Sequence, residues 1–185
     1  MPEMPEPLPE DINAELQKCM TYNIDLSQVV LYGLGDATQT DLSDACTAIQ
    51  KAYNENIMRN ESGIDFIFPT PTNTQNQNQN QSEPEDLVRY HVLDFDKGWK
   101  ESSGNNQGTL DWYPFGFAVL TSRNWREEGI VLVHCQDSDD DREFSVDSCV
   151  LPVQEVGINM LSLVWGDEDF EGVKVAAQVT QTWKE

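Results

Sequence analysis

Basic residues are scarce in this chain. Its 185 residues include 11 lysines and arginines against 33 aspartates and glutamates, which gives a formal net charge of −22. A field of that sign repels nucleic-acid phosphates and anionic membrane surfaces, and it attracts basic proteins and cations. The charge therefore argues against direct nucleic-acid binding and favours a basic protein partner.

Long apolar runs are also lacking. No stretch approaches the roughly 18 apolar residues that a membrane span needs. The start, MPEMPEPLPEDINAELQ, has neither the basic segment nor the apolar segment of a secretory signal. The chain has no C-x-x-C pair, because its four cysteines stand far apart at Cys19, Cys46, Cys135 and Cys149. We therefore expect no membrane association, a cytosolic location and buried free thiols.

Complete catalytic and cofactor motifs are not found in the sequence. His91 and His134 have no metal-ligand spacing, and structural roles are expected for both. The stretch YGLGDA, residues 32–37, lacks the third glycine and the lysine of a phosphate-binding loop. With 33 acidic residues, no single carboxylate pair indicates glycoside hydrolysis. We expect neither enzymatic activity nor a cofactor.

Hydrophobic residues make up 38% of the chain, which is enough for a packed core. Residues 1–62 are predicted to be a helical segment. Helices are expected over 10–22, 25–33 and 40–60, the last beginning at Thr40 or Asp41 and ending at Ser62–Gly63. Its apolar residues follow three- and four-residue spacing, at Leu42, Ala45, Cys46, Ile49, Tyr53 and Ile57.

Residues 63–85 are predicted to contain a strand, IDFIF at 64–68, followed by an Asn/Gln-rich linker or flexible loop. Residues 86–185 are predicted to form a β-rich domain. Strands are expected over 87–95, 112–120, 129–136, 143–151 and 173–183, with helix left open for the last, and 156–165 fits either a strand or a short helix. Without helical crossovers the sheet should be mainly antiparallel, which makes the fold class α+β.

The strands 129–136 and 143–151 are predicted to pair as a hairpin with a six-residue loop, 137–142. In the expected register Cys135 faces Phe144 and Val133 faces Val146, which gives one apolar face. Cys135 and Cys149 then lie on opposite faces, so a disulfide between them is excluded.

The loop of this hairpin is strongly acidic, with Asp137, Asp139, Asp140 and Asp141 followed by Glu143. The spacing of Asp137, Asp139 and Asp141 matches the first three ligand positions of a calcium-binding EF-hand loop. Arg142 then stands where that loop needs glycine, and Ser148 stands where it needs glutamate. A solvated turn, a charged docking surface and a calcium site of another kind remain open alternatives.

A second acidic run follows Trp165 and comprises Asp167, Glu168, Asp169 and Glu171. If the strands formed an up-and-down meander, the loops 96–110, 137–142 and 166–172 would meet at one rim. That rim would also bring Trp99, Trp112 and Trp165 near the acidic residues. Aromatic anchors surrounded by charge suit a protein interface better than an active site.

The sequence thus predicts a small acidic binding protein that docks a basic protein through Trp99, Trp165 and the two acidic runs. In composition it is similar to acidic inhibitors and immunity proteins that neutralise basic toxins or nucleases, and an antitoxin or a phage or defence-system component fits equally. The alternatives are a calcium-binding or enzymatic domain with its site in the acidic loops, and a structural subunit of a larger assembly. The oligomeric state is left open.

The Asn/Gln-rich segment generates the first testable prediction. Excising residues 71–82 should leave the fold intact, because these residues offer no apolar surface to a core and a change in loop length costs little entropy. Urea unfolding should show a cooperative transition with an unchanged slope. Loss of that transition would show that the segment is part of the folded structure.

Overall fold

The computed structural model of the protein describes residues 8–24, 28–57, 65–67, 84–95, 108–137 and 143–182. Its helices are α1 (Glu10–Cys19), α2 (Gln39–Ile57), α3 (Pro84–Arg89, continued by a π-helix over Tyr90–Asp94), α4 (Trp125–Glu128), α5 (Val153–Trp165) and α6 (Phe170–Thr182). Its strands are β1 (Asn23–Ile24), β2 (Gln28–Gly33), β3 (Asp65–Ile67), β4 (Thr109–Leu110), β5 (Gly116–Leu120), β6 (Ile130–Asp137) and β7 (Phe144–Leu151).

Five strands form one mixed sheet in the order β3-β2-β5-β6-β7. Strand β2 runs parallel to β3 and to β5, with three paired positions in each ladder. The antiparallel ladders β5–β6 and β6–β7 are longer, with four and eight paired positions. A separate two-residue parallel pair joins β1 to β4. The predicted α+β class, with a helical start and mostly antiparallel pairing, is therefore confirmed.

Both faces of this sheet are covered. Helices α2, α5 and α6 pack on one face, where Ile49, Met160 and Phe170 meet Leu132 of β6. Helices α1 and α3 lie on the other face, where Leu16 and Val92 join Val133 of the same strand. Because successive strand side chains point to opposite faces, neighbouring residues of β6 contribute to different hydrophobic clusters.

The helix predicted over 40–60 is present as α2. Its apolar residues Leu42, Ala45, Ile49 and Tyr53 are buried, and Cys46 is half-buried. The side chain of Ile57 and the expected end at Ser62–Gly63 lie outside the described residues. The helix begins at Gln39, one residue earlier than predicted, because Thr38 and Asp41 cap each other. Asp41 donates its N–H to Thr38 Oγ1 at 3.2 Å, and Thr38 donates its N–H to Asp41 Oδ2 at 2.8 Å.

Two predicted elements, the helix over 25–33 and the strand over 87–95, are wrong in type. The helix expected over 25–33 is replaced by strand β2, whose residues Val29 to Tyr32 are all buried. A strand covered on both faces is apolar at every position, and periodicity cannot distinguish such a run from a buried helix. The strand expected over 87–95 is helical, and Leu87, Val88 and Val92 pack on the second face at helical spacing.

The C-terminal elements are helices. Of the two alternatives for 156–165 the helix is correct, and α5 buries Val156, Met160 and Leu163 against the first face. For 173–183, where a strand was expected and helix was left open, the helix is correct, because Phe170, Val173 and Ala177 are spaced as one face of helix α6 and lie in the same cluster. None of the described helices is both long enough and apolar enough to cross a membrane.

Strands β5, β6 and β7 appear where strands were expected, as does β3 within the predicted segment 64–68. The register of the hairpin is offset by two residues, since Cys135 pairs with Val146 and Asp137 pairs with Phe144. An even offset keeps every side chain on its predicted face. Cys135 therefore lies in the second cluster and Cys149 packs against the first, and the four cysteines are free thiols.

Helices α2 and α5 approach closely at Gly157. A Cβ added there would lie 3.1 Å from the Tyr53 Cβ and 3.3 Å from the Ile49 Cγ2. Since the Tyr53 Cβ is fixed to the backbone of α2, the two helices would have to separate. Glycine at this position therefore favours the close packing of α2 and α5.

The second prediction compares two helical glycines. Gly157→Ala should lower the free energy of unfolding by roughly 1–3 kcal/mol, because it overpacks the α2–α5 contact. Gly172→Ala in α6 is the matched control, since its added Cβ would meet mainly the flexible side chain of Glu168. That variant should be neutral or up to about 1 kcal/mol more stable. Urea midpoints measure the stability of both variants, and an equal loss of stability in the two would contradict the packing argument.

Candidate functional site

Helix α5 ends in an exposed tryptophan. Gly166 adopts a left-handed conformation with φ 71° and ψ 22°. Its N–H donates to the Leu163 carbonyl at 3.2 Å, and the Asp167 N–H donates to the Ser162 carbonyl at 2.9 Å. This is the Schellman arrangement that stops a helix and turns the chain outward. Trp165, the last residue of α5, has 60% of its surface exposed and stands directly before the second acidic run.

The second acidic run connects α5 to α6 and begins the second helix. Asp169 accepts a hydrogen bond from the Gly172 N–H at 2.8 Å, so it is the N-cap of α6. Glu171 lies in the first helical turn, where a negative charge is favourable. Asp167, Glu168, Asp169 and Glu171 are all exposed. We call Trp165 and these four carboxylates the acidic surface.

Lys174 attaches this surface to the sheet. Its Nζ lies 2.7 Å from Asp147 Oδ2 in β7 and 2.9 Å from Glu171 Oε1. Hydrogen bonds to Asp147 first, and to Glu171 second, raise the pKa of Lys174 above its ordinary value. The N-terminal turn of α6, and with it the acidic surface, is therefore held beside strand β7.

Every lysine and arginine whose side chain the structure describes is engaged by a carboxylate. The pairs are Lys18–Glu15, Lys51–Glu55, Arg89–Asp11, Arg123–Asp41, Arg126–Asp44 and Lys174 with Asp147 and Glu171. Lys174 is the single basic residue between 143 and 182, where seven acidic residues occur. The surface of this C-terminal part thus carries an uncompensated negative field.

The predicted meander rim is wrong. The loop at 166–169 connects two helices instead of two strands, because 153–165 and 170–182 are helical. Trp112 lies in the second hydrophobic cluster against Phe95, with ring centroids 3.8 Å apart, and is not on the acidic surface. Trp99 and residues Asp139, Asp140 and Asp141 lie outside the described residues.

The structure still relates the two acidic runs. Phe170 stacks on His134 with centroids 5.5 Å apart, and His134 precedes Asp137 by three positions in β6. Asp137 ends β6 and is exposed, as is Glu143 immediately before β7. Phe170, which directly follows the second run, therefore lies over the half of the hairpin that ends at Asp137 and Glu143.

Metal-binding geometry is not present in the described part of the chain, where no three His, Cys, Asp or Glu side chains could hold one ion. The calcium candidates Asp137, Asp139 and Asp141 are only partly described, since Asp139 and Asp141 fall outside it. Asp137 is paired with Phe144 at the end of β6, so it belongs to the strand and not to the turn.

The two histidines meet at Tyr113, a residue that sequence reasoning missed. The His91 ring donates from Nε2 to the Tyr113 carbonyl at 3.2 Å, and its Nδ1 accepts from the Tyr32 hydroxyl at 2.9 Å. On the opposite face of the sheet the Tyr113 hydroxyl lies 3.0 Å from His134 Nε2. Burial lowers the pKa of His134 to about 4, and the carboxylate of Asp147 partly opposes that shift. The His134 ring is therefore neutral near pH 7.

Comparison of the chain with protein-family models, with curated proteins and with solved structures finds no match. The function must therefore be argued from the geometry of the chain itself.

The third prediction concerns His134. The unfolded chain protonates this residue below pH 6.5, whereas the folded protein does so only near pH 4. Over that window the unfolded state binds more protons, so stability falls as the pH falls. His134→Gln should remove roughly 1–3 kcal/mol of this loss. Urea unfolding of the wild type and of the variant between pH 4 and pH 7 measures this difference in stability. Parallel pH profiles of the two proteins would contradict the burial argument.

Proposed function

We propose that this protein is a small acidic binding protein that docks a basic protein partner through the acidic surface. The single observation that carries the proposal is the exposed Trp165 beside four exposed carboxylates at the end of α5. Trp165 serves as the aromatic anchor, and Asp167, Glu168, Asp169 and Glu171 steer and orient the partner. Asp137 and Glu143, both exposed, add to the same negative field.

The exposure of Trp165 contrasts with the other described tryptophans. Trp125 is fully buried, and Trp112 packs inside the second cluster. Tryptophan is strongly enriched among the residues that dominate binding energy at protein interfaces, where its large ring is desolvated by the partner. An exposed tryptophan at a capped helix end therefore supports an interface at this point.

The distribution of charge supports a basic partner. Complementary charge accelerates encounter and suppresses wrong partners, and it does so most effectively where the surface carries one sign. The basic side chains of the described residues are already occupied by internal ion pairs, so the acidic surplus faces solvent. Inhibition or neutralisation of a basic toxin or nuclease, in the manner of an immunity protein or antitoxin, fits this pattern, as does a role in a phage or defence system. Four free cysteines suit a reducing cytosol.

The fourth prediction tests the acidic surface. A photo-crosslinking residue at position 165 should capture a basic protein, and the same residue at the exposed position Met20 should not. For the purified pair, Asp167→Asn with Glu168→Gln should slow association about tenfold at low salt and flatten its salt dependence. The effect should fade above roughly 0.5 M salt, where the screening length is only a few ångströms.

The matched control removes two charges elsewhere, at Glu10 and Glu127, which are exposed on α1 and α4. That variant should associate at nearly the wild-type rate. Unchanged kinetics for the Asp167/Glu168 variant would exclude the acidic surface as the interface. A calcium-dependent rise in Tm that is lost on changing Asp137, Asp139 and Asp141 to Asn would replace docking by the cation-binding alternative.

A further inference from the structure

Strand β7 is the outer strand of the five-stranded sheet. It pairs with β6 without interruption from Ile130–Leu151 to Asp137–Phe144, so no bulge twists it away from the sheet plane. Its eight residues, FSVDSCVL, contain neither proline nor lysine. Natural edge strands are usually protected by such features, because an open edge is a template for another strand.

The first residue of β7 shows which backbone groups point outward. The Phe144 N–H donates to Asn13 Oδ1 at 2.7 Å, and the Phe144 carbonyl accepts from the Leu8 N–H at 2.9 Å. Both groups therefore point away from β6. On the inner side, Cys135 of β6 donates its N–H to the Phe115 carbonyl at 2.7 Å, away from its partner Val146. Because outward and inward positions alternate, Val146, Ser148 and Val150 also present their backbone groups at the edge.

These outward groups are largely unused within the described residues. The Ser148 N–H is satisfied locally by Asp147 Oδ1 at 2.7 Å. The outward N–H and C=O groups of Val146 and Val150 have no hydrogen-bond partner in the described part of the chain. Val150 is an exposed apolar side chain, and Ser148 is also exposed. Among the described residues, the edge thus offers the unpaired outward N–H and C=O groups of Val146 and Val150 beside the exposed side chain of Val150.

The negative charge around this edge favours a basic segment as the added strand. Glu143 precedes the strand, Asp147 lies within it, and Lys174 holds the N-terminal turn of α6, with its carboxylates, beside it. A second copy of the chain would bring another net charge of −22 to the same place. A basic extended segment would instead complement both the backbone groups and the charge.

We propose that β7 accepts an extended basic segment of a partner protein as an added strand. This inference rests on the proposed function, because it takes the partner to be basic, and it adds how that partner is held. Main-chain hydrogen bonds to Val146, to Val150 and to the Ser148 carbonyl supply the pairing, and the acidic surface beside α6 receives the basic side chains. At Phe144 the first position of the edge is already occupied, by the main-chain N–H of Leu8 and by the side-chain amide oxygen of Asn13.

The fifth prediction uses a synthetic probe, an eight-residue peptide of alternating lysine and valine with blocked ends. It should bind the full chain, and the amides of Val146 and Val150 should become protected from hydrogen exchange. The same peptide N-methylated at every residue keeps its charge and loses its N–H donors, so it should bind at least tenfold more weakly. Calorimetry gives the affinities and amide exchange locates the site.

A pair of protein variants tests the same hydrogen bonds by changing the protein instead of the peptide. Val146→Pro removes an outward N–H that no described group uses, so the fold should survive, since proline is tolerated in edge strands. It should weaken peptide binding at least tenfold, whereas Val146→Ala should weaken it less than about threefold. Val150→Pro is the second variant, to be used if Val146→Pro lowers Tm strongly.

The outcomes separate this inference from the proposed function. Equal binding of both peptides, with protection confined to residues 165–171, would overturn the edge inference and leave docking at the acidic surface standing. Absence of binding, or binding unaffected by either proline variant, would also overturn it. Self-association of the chain at high salt with protection of Val146 and Val150 would assign the edge to a second copy. Loss of binding in the Asp167/Glu168 variant alone would support only the acidic surface.

Discussion

The burial of β5 on both faces is the constraint on which the rest of the structure depends. All five residues of this strand are buried, with Ala118 and Leu120 in the first hydrophobic cluster and Phe117 and Val119 in the second. A strand of this kind is stable only when a layer of helices covers each side of the sheet. Helices α1 and α3 supply one layer, and α2, α5 and α6 supply the other. Apolar surface is thereby concentrated at the centre, and charge is left to the periphery.

The peripheral charge is not evenly balanced. Internal ion pairs occupy the basic side chains of the described residues, and most of these pairs are solvent-exposed, so each stabilises the fold only slightly. Lys174 is better enclosed and links α6 to β7. Four exposed carboxylates lie within five positions around the start of α6, and Asp137 and Glu143 stand where β6 ends and β7 begins. There they face the surface that the proposed partner would occupy.

Sequence reasoning succeeded where one face of an element is buried. The stripe Leu42–Tyr53 predicted α2, and the alternation around Val133 predicted the β6–β7 hairpin with its faces correct. It failed for β2, because a strand buried on both faces has no alternation to detect. It also failed for 87–95, where aromatic and β-branched residues favour a strand by propensity and tertiary packing makes them helical.

The candidate site was partly predictable for similar reasons. Trp165 and the acidic run after it could be singled out from composition, and Lys174, three residues after Glu171, has the spacing of a helical ion pair. Its contact with Asp147 depends on how α6 lies on the sheet, and no local pattern encodes that. Tyr113 could not be identified either, because its links to His91 and His134 require the two faces of the sheet to be known.

The parallel pairing of β2 with β5 has a consequence for how the chain reaches this structure. Leu31 pairs with Ala118, so the centre of the sheet closes a very long loop, whereas the β6–β7 hairpin closes a short one. Loop-closure entropy delays non-local pairing, and such contacts slow folding. On a ribosome, β2 emerges well before β5 has been synthesised. The apolar run VVLY must then stay soluble without its neighbour, and the dense negative charge of the growing chain opposes its aggregation during that interval.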